Sequence, residues 1–320
     1  MINADKRERW KSDIQLSVDQ YNNWFSQAAP KAYRETRLRT IRSVEETFKQ
    51  TRDLTEITPV ALKANPRLLR VLRMCTAPPI ARDRLVGLSY VCSKNLIEKM
   101  EKFGKIPPRM RPEDLTLSLA KVCGVISELL DQDLFPWIHG GGTIDRRQRD
   151  IAVTVVAERL CEAETDSIVR NAQESRQLGL IEDWLLARGY TKVKHPSSLP
   201  ITAMDPGTFA TRQNVPAKAS DGNHKVNIPV DVAIQPHHPR PNCLPVLIEA
   251  KSAGDFTNVN KRRKEEGMKV KQLRDTYGPD AQLYLFLCGY FNEGYLSYSA
   301  AENLDWIWEH RLDDLEKAGV

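Results

Sequence analysis

Two short segments in the last third of the chain constrain the fold most strongly, because each has the residue pattern of a β-strand. In the first, apolar residues occupy every second position from Val226 to Ile234. This two-residue period is typical of a strand with one buried face, and it predicts that Asp231 lies on the opposite face. In the second, PVLIEAK, Glu249 and Lys251 are two residues apart, so we expect them on one face of another strand.

Pairing of these two strands would bring together side chains suited to a divalent cation. Asp231, Glu249 and Lys251 would then converge at one spot on the sheet. Carboxylates are ligands that Mg²⁺ prefers, and a bound cation activates water for attack on a phosphate ester. We therefore expect Asp231 and Glu249 to hold one or two Mg²⁺ ions, with Lys251 orienting or deprotonating the water. The alternative is a surface ion pair, since many unrelated chains contain a Glu-x-Lys tripeptide.

The segments around these strands predict an α/β fold. Apolar periodicity, capping residues and breakers place the remaining elements. We expect a helix over 166–188, strands over 208–215 and 282–288, a polar helix over 259–277 and a terminal helix over 299–318. Because a strand, a helix and a strand follow one another between residues 246 and 288, the last two strands are expected to be parallel.

The first half of the chain has a helical pattern instead. Apolar residues recur three and four positions apart over 115–130 and again over 149–163. The glycine run at 140–142 lacks the following Lys-Ser or Lys-Thr of a phosphate-binding loop, so it indicates a hinge. We therefore predict a helical domain over residues 1–145, for DNA recognition or wrapping, and a catalytic domain over residues 146–320.

The charge distribution favours a polyanionic partner. The chain carries a net charge of +5, and residues 31–99 contain 15 basic and 7 acidic side chains. An excess of this size attracts nucleic acid, although a solvated surface gives the same count.

The remaining composition predicts a cytoplasmic protein. No apolar run approaches the roughly 18 residues of a membrane span, and the polar start MINADKRERW does not resemble a signal peptide. The six cysteines are scattered without a Cys-x-x-Cys pair, which favours reduced thiols over a zinc site or disulfides.

Three arginines around a Pro-Pro turn are candidates for DNA contacts. Arg73, Arg82 and Arg84 flank this turn at residues 78–79. Arginine side chains can fork onto guanine edges or phosphates. The alternative is the start of a helix with ordinary surface arginines.

A basic run after the Glu-x-Lys tripeptide is a second candidate. The helix expected there begins with Lys261, Arg262, Arg263 and Lys264. These residues could hold phosphates near the scissile bond. The alternative is a solvated helix face.

Glu174 interrupts the apolar stripe of the helix expected over 166–188. It lies four residues before Leu178, where the helical pattern favours an apolar side chain, so its carboxylate needs a partner. Arg170, one turn earlier, is one candidate. The other interpretation is that Glu174 faces the carboxylate site and helps to hold a metal, with Asn171 and Gln177 positioning water or the DNA backbone.

The histidines offer one rival metal site. His237 and His238, followed by Asn242, resemble the ββα-metal nuclease pattern. The later metal-ligand histidine of that pattern is absent, since the next histidine is His310.

Several segments resemble the XamI-type restriction endonucleases of the PD-(D/E)XK nuclease superfamily. They are LRMCTAPPIARDRLVGLS (72–89), DQDLFPWI (131–138), IVRNAQESRQL (168–178) and IEAKSAGDFTNVNKRRKEE (248–266). Asp231, Glu249 and Lys251 match the catalytic positions of the superfamily. In one departure, Pro229 stands two residues before Asp231, with Val230 between them.

The resemblance implies a fold and an activity. The fold would be a PD-(D/E)XK core, with a mixed central sheet flanked by helices. The activity would be that of a Mg²⁺-dependent type II restriction endonuclease. It would cut a short palindromic duplex site of the GTCGAC type, with 5′-phosphate and 3′-hydroxyl ends, and a methyltransferase would protect host DNA. A homodimer would place one active site on each strand of the palindrome.

Two other functions use the same residues. One is a repair or junction-resolving nuclease with the same core. The other is a non-catalytic DNA-binding protein with a degenerate nuclease core, against which the intact Asp231, Glu249 and Lys251 argue.

Overall fold

The chain divides into two compact units that are not continuous in sequence. The computed structural model describes residues 1–90, 92–140, 144–219, 224–240, 243–256 and 263–320. The helical unit comprises Pro30–Ile168, and the sheet unit comprises Met1–Ala29 and Val169–Val320. The single boundary expected between residues 145 and 146 therefore differs from the two divisions of the chain, because the first 29 residues belong with the sheet. The assignment of recognition and catalysis to separate domains stays a prediction.

Helices make up most of the described first half, as the apolar spacing predicts. Over all the described residues, the α-helices are α1 (Arg7–Gln50), α2 (Pro59–Ala64), α3 (Leu68–Met74), α4 (Arg82–Ser89), α5 (Lys94–Phe103), α6 (Pro112–Glu128), α7 (Trp137–Gly140), α8 (Arg146–Ala187), α9 (Arg263–Tyr277), α10 (Glu293–Ala301) and α11 (Asp314–Lys317). In the helical unit, α6 buries Leu115, Leu119, Val122 and Ile126 in one core cluster.

One helix, α8, replaces two expected helices. The sequence pattern predicts a helix over 149–163 and a second one over 166–188, with Thr165 or Asp166 as its cap. Instead α8 runs unbroken through this position. The hydroxyl of Thr165 donates to the carbonyl oxygen of Cys161, one turn earlier, at 2.7 Å. This bond satisfies the side chain inside a helix, so the predicted cap is wrong.

The sheet unit contains a six-stranded mixed sheet, which confirms the predicted α/β class. The strands are β1 (Thr191–Lys192), β2 (Thr208–Lys218), β3 (Lys225–Gln235), β4 (Val246–Ala253), β5 (Leu283–Gly289) and β6 (Asp305–Trp308), in this spatial order. β3 is antiparallel to both β2 and β4, whereas the other neighbours are parallel. The expected parallel pair on either side of α9 is therefore confirmed.

The end of the chain forms a strand where a terminal helix was expected. Trp306 and Trp308 pack in one core cluster and Ile307 packs in the other, and all three are fully buried. This alternation has the two-residue period of a strand that is buried on both faces. The prediction of a helix over 299–318 is wrong because the tryptophan pair favours β6.

The sheet separates two apolar clusters within its unit. On the α9 face the sheet packs against Val270 and Leu273, and on the α8 face it packs against Ile181 and Leu185. Leu247 of β4 belongs to the α9 face. Each face of the central strands is therefore covered by a helix.

The apolar row of β3 changes face in the middle of the strand. Ile228 and Val230 pack in the cluster of the α9 face, whereas Val232 and Ile234 pack in that of the α8 face. Arg212 of β2, which lies opposite this point in the register, has a φ of 52°. A non-glycine residue in the left-handed region interrupts strand alternation. The prediction of one continuous apolar face is therefore wrong.

Two expectations from composition concern cysteines and membrane helices. All six cysteines are free, and five of them are buried, which confirms the prediction of unpaired thiols. Among the described residues, no helix combines the length and the apolar character that crossing a membrane requires.

Candidate active site

The site lies where β3 and β4 stop pairing. Their last pair joins Val232 to Ile248, and Asp231 and Glu249 are the next residues on the two strands. β4 continues beside β5 as far as Ala253, while the first half of β3 remains paired with β2. The two strands that the sequence pattern identified therefore meet, and their acidic residues lie at the point of divergence.

Glu249 and Lys251 share a face of β4, as the two-residue spacing predicts. The Lys251 Nζ donates to Glu249 Oε1 at 3.0 Å. Both side chains are largely buried. A buried ion pair of this kind is costly to break, because either charge alone would be left without a partner.

Asp231 is anchored by the backbone of β4. Its Oδ2 accepts a hydrogen bond from the backbone N–H of Ala250 at 2.7 Å. Burial raises the pKa of Asp231 above its ordinary value, and the negative charges of Glu249 and Glu174 raise it further. A cation beside Asp231 would therefore stabilise its ionised form.

Helix α9 supplies two further charged residues to the site. Lys269 donates from Nζ to Glu249 Oε1 at 2.8 Å and to the carbonyl oxygen of Pro229 at 3.3 Å. Glu266, one turn earlier on α9, lies 3.5 Å from Lys251 through Oε1. Residues three apart on a helix face the same way, which is why both reach β4.

Lys251 is held in its charged form. Burial lowers its pKa, but the carboxylates of Glu249 and Glu266 outweigh that effect, so the pKa of Lys251 is raised overall. The lysine is therefore a fixed positive charge beside Glu249.

Glu174 pairs with a residue that the sequence did not suggest. Its Oε1 lies 3.2 Å from the guanidinium of Arg212, and a pairing with Arg170, one turn earlier, stays a prediction. Both partners are more than one-third exposed, at 41% for Glu174 and 66% for Arg212. The negative charge of Glu174 raises the pKa of Asp231. The role of Glu174 as a metal ligand stays a prediction.

The two residues expected beside Glu174, Asn171 and Gln177, differ in burial. Gln177 is buried and donates from Nε2 to the carbonyl oxygens of Phe286 and Lys251, at 3.3 and 3.4 Å. It therefore ties α8 to the backbone of β4 and β5, which is a structural use of the side chain. Asn171 is exposed.

The arginines of the Pro-Pro turn lie in the helical unit and differ in exposure. Arg73 is buried, donates to Glu101 Oε2 at 2.9 Å, and also bonds the carbonyl oxygen of Ile80. Its guanidinium is thus used inside the unit. Arg82, 44% exposed, lies 3.9 Å from Glu101, and Arg84 is exposed. Arg82 and Arg84 remain predicted DNA contacts.

The structure describes only part of the basic run that follows the Glu-x-Lys tripeptide. Lys261 and Arg262 lie outside the described residues. Arg263 and Lys264 begin α9, but their side chains are not among those described. Their expected contacts with phosphates stay predictions.

The residues present fit a cation that binds through two carboxylates. Within the part of the chain that the structure covers, no group of three or more His, Cys, Asp or Glu side chains is arranged to hold a metal ion. Asp231, Glu249 and Glu174 are thus not gathered as one such group. Mg²⁺ keeps several waters and binds proteins through one or two carboxylates, which suits Asp231 and Glu249.

Sequence reasoning missed Glu266, Lys269 and Tyr295. Tyr295 of α10 donates its hydroxyl hydrogen to Glu266 Oε2 at 2.6 Å, so both carboxylate oxygens of Glu266 face a partner. The three-residue spacing of Glu266 and Lys269 is a usable signal. It was obscured because charged residues surround both on α9.

Comparison with known proteins identifies the family. The family model for the XamI restriction endonuclease matches residues 52–308. The type II restriction enzyme SalI of Streptomyces albus G is 62% identical over 320 residues, which is 100% of both chains. The type II restriction enzyme XamI of Xanthomonas campestris pv. amaranthicola is 28% identical over 121 residues, or 38% of this chain and 39% of that one.

The crystal structure of protein VC1899 from Vibrio cholerae matches over 86% of this chain and 55% of that protein's chain, with 14% sequence identity and a TM-score of 0.27. Such a likeness is too weak to bear on the fold. The family match instead extends over most of the chain and over both strands of the site. The resemblance of the four sequence segments is thereby confirmed, and the chain belongs to the XamI restriction endonuclease family.

Proposed function

We propose that this protein is a Mg²⁺-dependent type II restriction endonuclease whose sheet unit contains a PD-(D/E)XK core. The observation that carries the proposal is the position of Asp231 and Glu249 where β3 and β4 diverge. Lys251 lies on the same face of β4 as Glu249, at 3.0 Å from it. An aspartate on one strand and Glu-x-Lys on the next is the arrangement of that nuclease core.

Asp231 and Glu249 are the residues that would hold Mg²⁺. The bound ion would lower the pKa of a water and neutralise charge that develops on the phosphate. Asp231 is oriented for this task by the N–H of Ala250. Its raised pKa, due to burial and then to neighbouring carboxylates, is what a cation would reverse.

Lys251 acts on the attacking water and on the phosphate. Its ammonium, kept charged by Glu249 and Glu266, would orient the attacking water. To deprotonate that water, Lys251 would first have to release its own proton, which its raised pKa opposes. It also adds positive charge where the phosphate becomes more negative. Attack by water on phosphorus with loss of the 3′-oxygen leaves a 5′-phosphate and a 3′-hydroxyl.

A short palindromic target of the GTCGAC type belongs to this proposal, as the sequence resemblance implies. A two-fold symmetric homodimer would place one sheet unit on each strand of such a site. The helical unit, with the exposed Arg84 and the partly exposed Arg82, would contribute to recognition or wrapping. A methyltransferase of matching specificity would be the functional partner that protects host DNA.

Digestion of a sequenced plasmid that contains one GTCGAC site tests the proposal. With Mg²⁺ we expect one linear product, and end mapping should show 5′-phosphates and 3′-hydroxyls at that site. A plasmid in which one base of the site is changed serves as the control and should stay uncut. Cutting at branched or damaged DNA, but not at the intact site, would instead favour a repair nuclease.

A further inference from the structure

Two lysines compete for one oxygen of Glu249. Lys251 and Lys269 both donate to Glu249 Oε1, at 3.0 and 2.8 Å. Lys251 comes from β4 and Lys269 from α9, so the arrangement requires the strand and the helix to be packed together. Only the first of these lysines belongs to the Glu-x-Lys tripeptide, which leaves Lys269 without a role in the proposed mechanism.

The two lysines differ in how firmly they are held. Lys251 lies near a second carboxylate, Glu266, at 3.5 Å. Apart from Glu249, the contact that the described residues offer to Lys269 is the carbonyl oxygen of Pro229, at 3.3 Å. A neutral carbonyl attracts an ammonium less strongly than a carboxylate does. Lys269 is therefore the lysine that is more easily displaced from Glu249.

A cation bound by Glu249 would have to displace one of them. Ammonium groups within hydrogen-bond distance of a ligand oxygen would repel a divalent cation on that same oxygen. Lys269 is 20% exposed and has a flexible four-carbon stem, so its ammonium can move towards substrate. If Glu249 holds a cation at the scissile phosphate, as proposed above, that phosphate is the substrate group within reach of the displaced ammonium.

We propose that Lys269 is a second lysine of the active site, which neutralises Glu249 while the cation is absent and binds the scissile phosphate once the cation takes that carboxylate. This inference rests on the proposed function, because it takes Glu249 as a cation ligand. It assigns to α9 a direct part in both cation binding and phosphate binding.

The test measures cation binding and cleavage separately in Lys269→Met. Lys271→Met is the matched control, since Lys271 is exposed on the same helix and carries the same charge. Calorimetric titration of the protein with Ca²⁺, without DNA, should show binding about tenfold tighter in Lys269→Met and unchanged in Lys271→Met, as removal of a charge-assisted contact worth roughly one pKa unit implies.

In a single-turnover assay at saturating Mg²⁺, cleavage by Lys269→Met should be slower by about tenfold to a hundredfold, because a charge-assisted hydrogen bond to the phosphate is lost. Lys269→Arg should restore most of the rate. Ca²⁺ binding that is unchanged or weaker in Lys269→Met overturns the proposal, and so does a wild-type cleavage rate. A thermal melt and the variant Lys269→Gln exclude misfolding as the cause.

Two further variants separate this inference from the proposed function. If Lys251→Ala cuts at the wild-type rate, or Asp231→Asn binds Ca²⁺ as tightly as the wild type, the proposed active site is wrong. If both variants lose the expected property while Lys269→Met behaves like the wild type, only the role of Lys269 is wrong.

Discussion

Glu266 lies 3.5 Å from Lys251, and both side chains are largely buried, with 4% and 20% of their surface exposed. A buried carboxylate is stable only when its oxygens have partners. Lys251 and the Tyr295 hydroxyl meet that need, one at each oxygen of Glu266. Helix α9 thus holds the lysine of the Glu-x-Lys tripeptide in place.

Replacing Glu266 should therefore slow cleavage without weakening DNA binding. In Glu266→Gln, Lys251 loses one of the two carboxylates that lie within 4 Å of it, and we expect the single-turnover rate to fall about tenfold, as for loss of one charge-assisted contact. Tyr295→Phe removes a hydroxyl that donates to Glu266 but leaves the charge of Glu266 in place, so its effect should be smaller. A wild-type rate in Glu266→Gln would exclude a positioning role.

Replacing Lys251 should abolish cutting while leaving DNA binding intact. Proton transfer and charge stabilisation by a positioned side chain contribute about 10²- to 10⁴-fold to the rate. We expect a loss of at least this size in Lys251→Ala with Mg²⁺, and unchanged affinity for a GTCGAC duplex in Ca²⁺. Gel assays of cleavage and of binding measure the two properties, and retained cleavage would contradict the mechanism.

The arginines near the Pro-Pro turn should separate into a structural and a DNA-contacting residue. Arg73→Ala leaves Glu101 buried without its main partner, and breaking a buried ion pair costs about 3–5 kcal/mol in the free energy of unfolding. Arg84→Ala changes an exposed side chain, so its free energy of unfolding should stay within about 0.5 kcal/mol of the wild type.

DNA binding provides the second readout for this pair. Arg84→Ala should bind a GTCGAC duplex more weakly, with a salt dependence reduced by about one phosphate contact. Unchanged affinity in Arg84→Ala would remove that arginine from the interface.

Glu174 should affect cation binding more than stability. An exposed ion pair such as Glu174 with Arg212 contributes under about 1 kcal/mol. The charge of Glu174 acts on Asp231, so Glu174→Gln should weaken Ca²⁺ binding several-fold, and by less than Asp231→Asn does. Glu182 lies on the same helix as Glu174 and pairs with Lys192 of β1, so Glu182→Gln is the control. Equal Ca²⁺ affinity in both variants would rule out a part for Glu174.

His310 should make the protein less stable in mild acid. Burial lowers its pKa below the ordinary value of 6.5, although Asp13 opposes this shift and Arg311 supports it. The unfolded chain therefore binds a proton at higher pH than the folded chain does, so stability falls as pH drops below 6.5. Urea unfolding from pH 8 to pH 5 should show a smaller loss in His310→Gln than in the wild type. Parallel pH profiles would contradict this assignment.

Local sequence was sufficient to locate the strands of the site and their parallel neighbour. Glu249 and Lys251 were expected on one face because side chains alternate along any strand, and the structure places them 3.0 Å apart. β5 was recognisable because a short, almost continuous apolar run is typical of a strand buried on both faces.

Local patterns predict the wrong structure in two places. In one, the segment fits both a helical and a strand period; in the other, the backbone is distorted. The segment around Trp306 was assigned to a helix, although its buried alternation belongs to β6. The apolar row of β3 changes face opposite Arg212, whose left-handed φ no spacing rule reveals. These errors concern backbone geometry and not the identity of the acidic residues.

Composition, periodicity and motif spacing are properties of neighbouring residues, so they are enough to identify the family, the mixed α/β class and the acidic pair with its lysine. Which distant residues complete the site depends instead on how the helices pack on the sheet. Glu266 and Lys269 look like ordinary charges of a polar helix until α9 packs against β4 and their partners become Lys251 and Glu249. The burial that makes such charges significant arises from packing, and the one-dimensional pattern does not contain it.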